Sequence, residues 1–526
     1  MDLSLSVWNW LLAFSPVLVV VVLMLVFRWG GSRAGGVGWF TAILVAVLFF
    51  GAGFELLAVA QVKAVLLSLD VLLIIWSALL LFNIAREAGA IRMIGRALPG
   101  LTGDRVMQSL LIGWLMVTFL QGMGGFGVPV AVCAPMLVGL GFSPIQAVAM
   151  ASIGDAWSVN FGSLAISFQT LVAVTGLSGE ALGPLSALMM GLIALPSGLL
   201  VAVIGNGWKS LKHAFLPTLF FSLVMAVVQY LLVVNGIWTL GSTGAGIAGL
   251  AAGILVMRLP AYRNNGPKDA DLGLGDQDLD RGKSLWLSLT GYGLLVVLAF
   301  SANLIPSVSA FLGRVVFSLD FPEVSTRFGW VTAAGPGRAI NVFGHPGAIL
   351  FYSSVISFFI YRALGYFKPG ALKRITGNVV RSGVNSSLGI LAMVGVASIM
   401  LHSGMTFLLA QGLAESFNRD LYPAVAPFIG ALGAFITGSN TNSNVLFAVL
   451  QQNSAQLLNL SVPLILAAQT AGGSIGSVLA PAKVIVGCST VGLSGEEGMV
   501  MRKMLGYGMI LIGVVALAAF LIHITG

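Results

Sequence analysis

The most restrictive feature of this sequence is the length of its uncharged apolar runs. Stretches such as Pro16–Phe27, Val71–Phe82 and Leu511–Ile522 lie inside apolar segments of about 20 residues, the length of helix that crosses the hydrocarbon core of a bilayer. A soluble fold has no place for them. Of all residues, 58% are hydrophobic and 8% are charged, against roughly 25% charged in an ordinary globular chain. A water-facing exterior cannot be built from that stock. A transmembrane β-barrel would alternate in short segments instead. The reading is an all-α polytopic membrane protein, with the lipid bilayer as its first partner.

The net charge of +8 invites a nucleic-acid reading. Lys and Arg, however, gather at 28–33, 86–105, 209–212, 258–283, 362–381 and 502–503. These are mostly short gaps between apolar runs, where the positive-inside rule places them. No nucleic-acid partner is expected, and all six clusters are assigned to the cytoplasm. The stretch 258–283 carries five basic and five acidic residues and reads as a linker between two halves. Cys133 and Cys488 both sit in apolar context, so no disulfide framework, metal site or cofactor is implied. No Lys or Arg precedes the first apolar run; it reads as a first span starting outside, not a cleaved signal.

Counting crossings organises the rest. Full spans are read near 10–27, 37–54, 64–85, 184–204, 215–234, 241–258, 285–304, 346–361, 384–411 and 505–524. Two regions remain, and each must cross an odd number of times although it holds three or four apolar segments. The economical solution is a re-entrant hairpin followed by an interrupted span: 106–141 with 145–176, and 423–459 with 463–492. The first hairpin enters from the cytoplasm and the second from outside. That makes about 12 full spans plus two re-entrant hairpins. The regions align without gaps at an offset of 319, pairing Thr118 with Thr437, Gln121 with Asn440, Pro144 with Pro463, Gly154 with Gly473 and Ser158 with Ser477. Opposite sides of insertion make this an inverted-topology repeat, the plan of secondary transporters. The organisation is scaffold helices 1–105, first repeat unit 106–176, scaffold 177–258, cytoplasmic linker 259–283, scaffold 284–422, second repeat unit 423–492 and a terminal helix, 493–526.

Within this greasy chain, Thr437–Asn444 reads "TGSNTNSN" and Gln121–Gly127 reads "QGMGGFG". A hairpin that turns back inside a membrane leaves helix ends there, with unpaired N–H and C=O groups. Lipid cannot satisfy them, so such backbone must be buried in protein or line a cavity. Gly, Ser, Thr and Asn turn tightly and cap helices, and the N-terminus of a returning half-helix suits an anion. Gly122, Gly124 and Gly127 also match a dinucleotide fingerprint. That motif needs a preceding strand and an acid about 20 residues on, and neither is present.

On the blocks 124–144, 437–451 and 472–497 the chain resembles the L-lactate permease family, bacterial carriers of lactate and glycolate. The likeness runs through most of the chain. It implies proton-coupled import of a small 2-hydroxymonocarboxylate across the bacterial cell membrane. Ser439–Thr441 also resembles a wider superfamily that includes sodium-dicarboxylate carriers, which implies a homodimer with an elevator-like transport domain moving on a scaffold. Better-known lactate permeases usually carry acids at the positions of Gln121 and Asn440, an asparagine-like residue at Asp155, and "SPQ" where this chain reads "APAK" at 480–483. Charge has left the hairpin tips for the interrupted spans.

Substrate contact is expected from Gln121, Gly124, Gly125, Ser439, Asn440, Thr441, Asn442 and Lys483, whose donors suit a carboxylate or hydroxyl. The bland alternative for the tips is capping without a ligand. Asp155, in the first interruption, is a proton-coupling candidate, since an ionised carboxylate at mid-membrane costs about 2.5–3.5 kcal/mol. Lys483 could hold the substrate or pair with Asp155, protonation of Asp155 then freeing Lys483 for the anion. Its alternatives are a permanent ion pair or snorkelling. His402, in an apolar span, has the chemistry of a proton relay or is simply a bonded structural group. Asp70 and Glu55 are assigned to the scaffold. Asp320, Glu323, Arg327, Arg338 and His345 are read as a solvated outer loop. Sodium coupling through amide and carbonyl oxygens is the nearer alternative function. An intramembrane enzyme using Ser403 beside His402 is the remote one.

Overall fold

The computed structural model describes residues 5–27, 29–89, 102–125, 127–260, 262, 287, 290–337, 339–493 and 496–525. The protein is a helical membrane protein. Among the described residues, 11 helices are long and apolar enough to cross a bilayer. Nine of these stand over spans read from the sequence. The other two are Arg105–Met123 and Val462–Cys488. Two of the expected 12 are missing, because the first interrupted span splits into two short helices, Pro144–Asp155 and Ile166–Thr175, and because the helix Thr290–Leu304 has only 15 described residues; the hairpin arm Arg105–Met123 adds one. Most of the 259–283 linker, like Arg338, lies outside the described residues.

The stretch read as one span at 384–411 is two helices. Ala371–His402 ends at Ser403, and Gly404, at φ 83°, turns the chain into Met405–Ser416. Only a residue without a Cβ adopts that conformation freely. His402 is therefore the last residue of the apolar helix Ala371–His402.

Two helical hairpins occupy the centre. The first pairs Arg105–Met123 with Val128–Gly139, with Gly124, Gly125 and Gly127 between them. Its first arm contains a π-helical stretch, Leu111–Met116. Its second arm, 12 residues long, spans only about 18 Å. The second hairpin joins Tyr422–Thr437 to Asn440–Leu457 through Gly438 and Ser439. Their open ends lie at opposite ends of the long helix Gly179–Asn206. At one end, Arg105 Nη2 bonds Gly141 O at 2.7 Å, and Asn206 Nδ2 bonds Ser109 Oγ at 3.1 Å. At the other, Gln452 Nε2 reaches Thr175 O at 3.4 Å, just before that helix begins.

The two units interlock crosswise. The returning arm of the first hairpin packs against Pro481–Thr490, and that of the second against Ile166–Thr175. Within the second unit, Tyr422–Thr437 crosses Val462–Leu479 on glycines. A Cβ at Gly430, Gly472 or Gly476 would strike the carbonyl of Gln469, Pro427 or Ala431. Close backbone approach over small residues is how helices associate where lipid removes the hydrophobic drive.

In the charged 306–345 segment Asp320, Glu323 and Arg327 are exposed, as expected of a solvated stretch, but the backbone is ordered and His345 is buried. Residues 316–341 form an irregular antiparallel hairpin of three short ladders, Val316–Phe317 with Ile340–Asn341, Asp320–Phe321 with Gly335–Pro336, and Val324–Ser325 with Val331–Thr332. It is tied to the helices by a hydrogen bond from Arg327 N to Gly51 O at 2.9 Å and by a tilted ring contact of Trp330 with Phe407, centroids 5.2 Å apart. His345 is buried and meets buried Asp70 at 3.0 Å.

Candidate functional site

The two interruptions differ. The first is a ten-residue buried stretch between Asp155 and Ile166. It is pinned to the first hairpin tip: Ser163 N donates to Gln121 O at 2.6 Å and Leu164 N to Gly122 O at 3.1 Å. Ser163, Leu164 and Ala165 stand consecutively at φ 48°, 60° and 61°, a left-handed conformation that costs roughly 1–2 kcal/mol per non-glycine residue. The second interruption is a single extended residue, Ala480, with Pro481 starting the next helix. Proline lacks the N–H that would bond back, so the helix must restart there.

Tips and breaks enclose a cavity of about 230 Å³ whose wall includes Gln121, Ser163, Ser167, Ser439, Asn440, Thr441 and Lys483. It is smaller than the ~300–1,000 Å³ of pockets for drug-sized ligands. The first turns of three helices face it: Ile166 and Ser167 of 166–175, Asn440 and Thr441 of 440–457, and Ala482 and Lys483 of 481–490. Each brings the positive end of a helix dipole. Lys483 is the one charged group on this wall. Its Nζ lies 3.3 Å from Ser477 Oγ and 3.9 Å from Asp155 Oδ2.

Asp155 is fully buried behind Lys483, with Ser158 Oγ donating to Oδ1 at 3.3 Å and no hydrogen bond to Oδ2. Asn440 is held by its Nδ2, which donates to Thr470 Oγ1 at 3.2 Å and Ser474 Oγ at 3.1 Å, while its Oδ1 has no partner. Gln121 Oε1 is also buried without a partner. Thr441 and Ser167 share a hydroxyl contact of 3.1 Å. Unpaired buried acceptors cost about 1–3 kcal/mol each, and Asn440 Oδ1 lies against Gly473 of the neighbouring helix.

Five expected contact residues thus meet on one wall: Gln121, Ser439, Asn440, Thr441 and Lys483. The others stand apart. Gly124 packs on the Phe82 ring and Gly125, at φ 52°, on Ser163 Oγ; neither belongs to the wall. Asn442 is half-buried off the wall, its N–H given to the Ser439 cap at 3.4 Å. His402 lines a different cavity. Sequence reading missed Ser163 and Ser167 on the wall and Asn160, Thr470 and Ser474 behind it. Asn160 Oδ1 accepts from Thr470 Oγ1 at 2.7 Å, joining the two units. The polar run in 158–163 and the i, i+4 pair Thr470–Ser474 in an apolar helix were the available signals.

A family model described as L-lactate permease matches residues 9–525. The chain belongs to the L-lactate permease family. Among curated members, the glycolate permease GlcA of Escherichia coli K12 is 28% identical, with 97% of this chain and 95% of that one covered. The L-lactate permease of Bacillus subtilis 168 is 27% identical, over 98% and 95%. The solved YdaH transporter of Alcanivorax borkumensis is a looser likeness, with a TM-score of 0.46 and 16% identity over 85% of this chain and 84% of that one. The permease-family assignment fits a multi-pass protein whose polar groups are gathered inward.

Proposed function

We propose that this permease-family protein imports a small 2-hydroxymonocarboxylate, L-lactate or glycolate, together with a proton, binding it in the cavity between hairpin tips and breaks. One observation carries the reading: three helix N-termini and Lys483 converge on one small cavity. The names of its relatives supply the substrate class. In this mechanism Lys483 and the N-terminal N–H groups hold the carboxylate. The unpaired Oε1 of Gln121 accepts the 2-hydroxyl. Asp155 exchanges its contact with Lys483 for a proton when the anion binds, so anion and proton cross together. The hairpins and broken helices then move against the remaining helices in an elevator-like step, the hairpins being re-entrant and the protein a homodimer.

Symport of a monoanion with one proton is electroneutral, and each pH unit supplies about 1.4 kcal/mol, tenfold accumulation. The oxygens of Gln121, Ser163, Ser167, Ser439 and Thr441 on the wall favour a second reading, coupling to Na⁺ through oxygen ligands. Purified protein in proteoliposomes, offered C2–C6 carboxylates under separate proton and sodium gradients, distinguishes them. Uptake of lactate and glycolate driven by ΔpH alone is expected. Uptake driven only by ΔNa⁺ removes the proton, and no carboxylate uptake under either gradient removes the function. Lys483→Met is expected to abolish uptake; retained uptake takes Lys483 out of the site.

A further inference from the structure

A second cavity, about 450 Å³, lies under the β-hairpin of 316–341, between the helices 54–88 and 371–402 on one side and 166–175 and 440–457 on the other. The crossing count places this end outside. Its wall includes Lys63, Ala173, Ser398, His402, Val445 and Val449. Ala173, Val445 and Val449 belong to the same two helices whose first turns wall the inner cavity. One helix seam therefore connects both chambers, with the Ser167–Thr441 hydroxyl contact at its inner end.

Ser398 Oγ donates to Ala60 O at 2.7 Å, but Lys63 and His402 keep bonding capacity. Lys63 is half-buried, with its Nζ 5.0 Å above the Phe321 ring of the β-hairpin. It makes no ion pair among the described residues. His402 is 4% exposed. Its Nδ1 lies 2.8 Å from Ser398 O; a carbonyl only accepts, so Nδ1 carries the hydrogen. That leaves a lone pair on Nε2, which is buried and has no partner. A cation and a bare acceptor lining one cavity supply the two kinds of contact, one to a carboxylate and one to a hydroxyl, that a 2-hydroxy acid takes.

We propose that this chamber is an outer substrate site, in which Lys63 holds the carboxylate and His402 Nε2 accepts the 2-hydroxyl before the anion passes along the seam to the inner cavity. It deepens the carboxylate reading above and rests on it. His402 then selects substrate by accepting a hydrogen bond, in place of relaying protons. A site built around a hydroxyl rejects the analogue lacking it, because the buried acceptor is left unpaired.

Thiol labelling of the full-length protein tests this without requiring transport. Cys133 and Cys488 are buried, so Val449→Cys serves as the reporter. With rates normalised to those for free mercaptoethanol, a sulfonate-bearing methanethiosulfonate is expected to react about fivefold faster than its trimethylammonium counterpart. L-lactate slows labelling more than propionate does. Lys63→Met collapses the charge preference. His402→Leu erases the lactate–propionate difference, and His402→Gln, which keeps an acceptor, retains it. Equal rates for the two reagents, a preference indifferent to Lys63→Met, or equal protection by both acids overturns the proposal. Failure of uptake in proteoliposomes leaves these labelling outcomes readable, and their failure leaves inner-site transport standing.

Discussion

A methyl group added at Gly473 would land on Asn440 Oδ1. Gly473→Ala is therefore expected to displace the Asn440 amide and reduce uptake at least about tenfold, the equivalent of one lost hydrogen bond to a buried partner. Gly513→Ala, in open space on a helix, should leave uptake unchanged in the same proteoliposome assay. The Asp155–Lys483 pair gives a second expectation. Removing one buried charge strands the other, at a cost of order 3 kcal/mol, so Lys483→Met should lower the melting temperature in detergent. The double variant Asp155→Asn/Lys483→Met should regain much of that loss. At this scale Gln121, Asn440, Thr441 and Lys483 were legible because a polar residue in an apolar chain needs a reason. Lys63 and Asn160 were not. Their meaning lies in what they face, and Thr470, the partner of Asn160, is 310 positions away.

At the scale of elements, the crossing of Tyr422–Thr437 over Val462–Leu479 is set by backbone, not side chains. Gly472→Ala must push Pro427 away, and overpacking of this kind costs typically 1–3 kcal/mol. It should lower the melting temperature measured by scanning fluorimetry, whereas Gly506→Ala, with nothing near its Cβ, should not. Helices were readable because bilayer thickness dictates their length. Both hairpins were readable because polar tips cannot face lipid. The β-hairpin escaped notice because its ladders are two residues long and leave no alternating pattern to detect. The break after His402 escaped because apolar character continues through Ser403 and Gly404, and only the positive φ at Gly404 stops the helix.

For the whole molecule, the outer chamber sits between the helices assigned to scaffold and those assigned to transport. Ala397 and Val445 line it from opposite sides. A double variant, Ala397→Cys/Val445→Cys, cross-linked by oxidation or a short bismaleimide, should stop uptake by fixing one body to the other, with reduction of the disulfide restoring it. Full uptake in the cross-linked protein would exclude relative motion at this seam. The 319-residue offset and the crossing count predict an inverted plan, and the two hairpins open at opposite ends of Gly179–Asn206. The inequality of the two breaks was not visible in the sequence, because a ten-residue loop and a one-residue kink can follow helices of similar composition.

The ion pair at the centre has a consequence for descent. Under the 319-residue offset, Asp155 corresponds to Ser474 and Lys483 to Leu164. A cradle assembled from two copies of the first half would set Asp155 against Leu164, and one from two copies of the second half would set Lys483 against Ser474, each stranding a buried charge without its partner. The halves have become obligate complements, as a left and a right glove are. Expressed as separate fragments, each is expected to assemble with the other and not with itself.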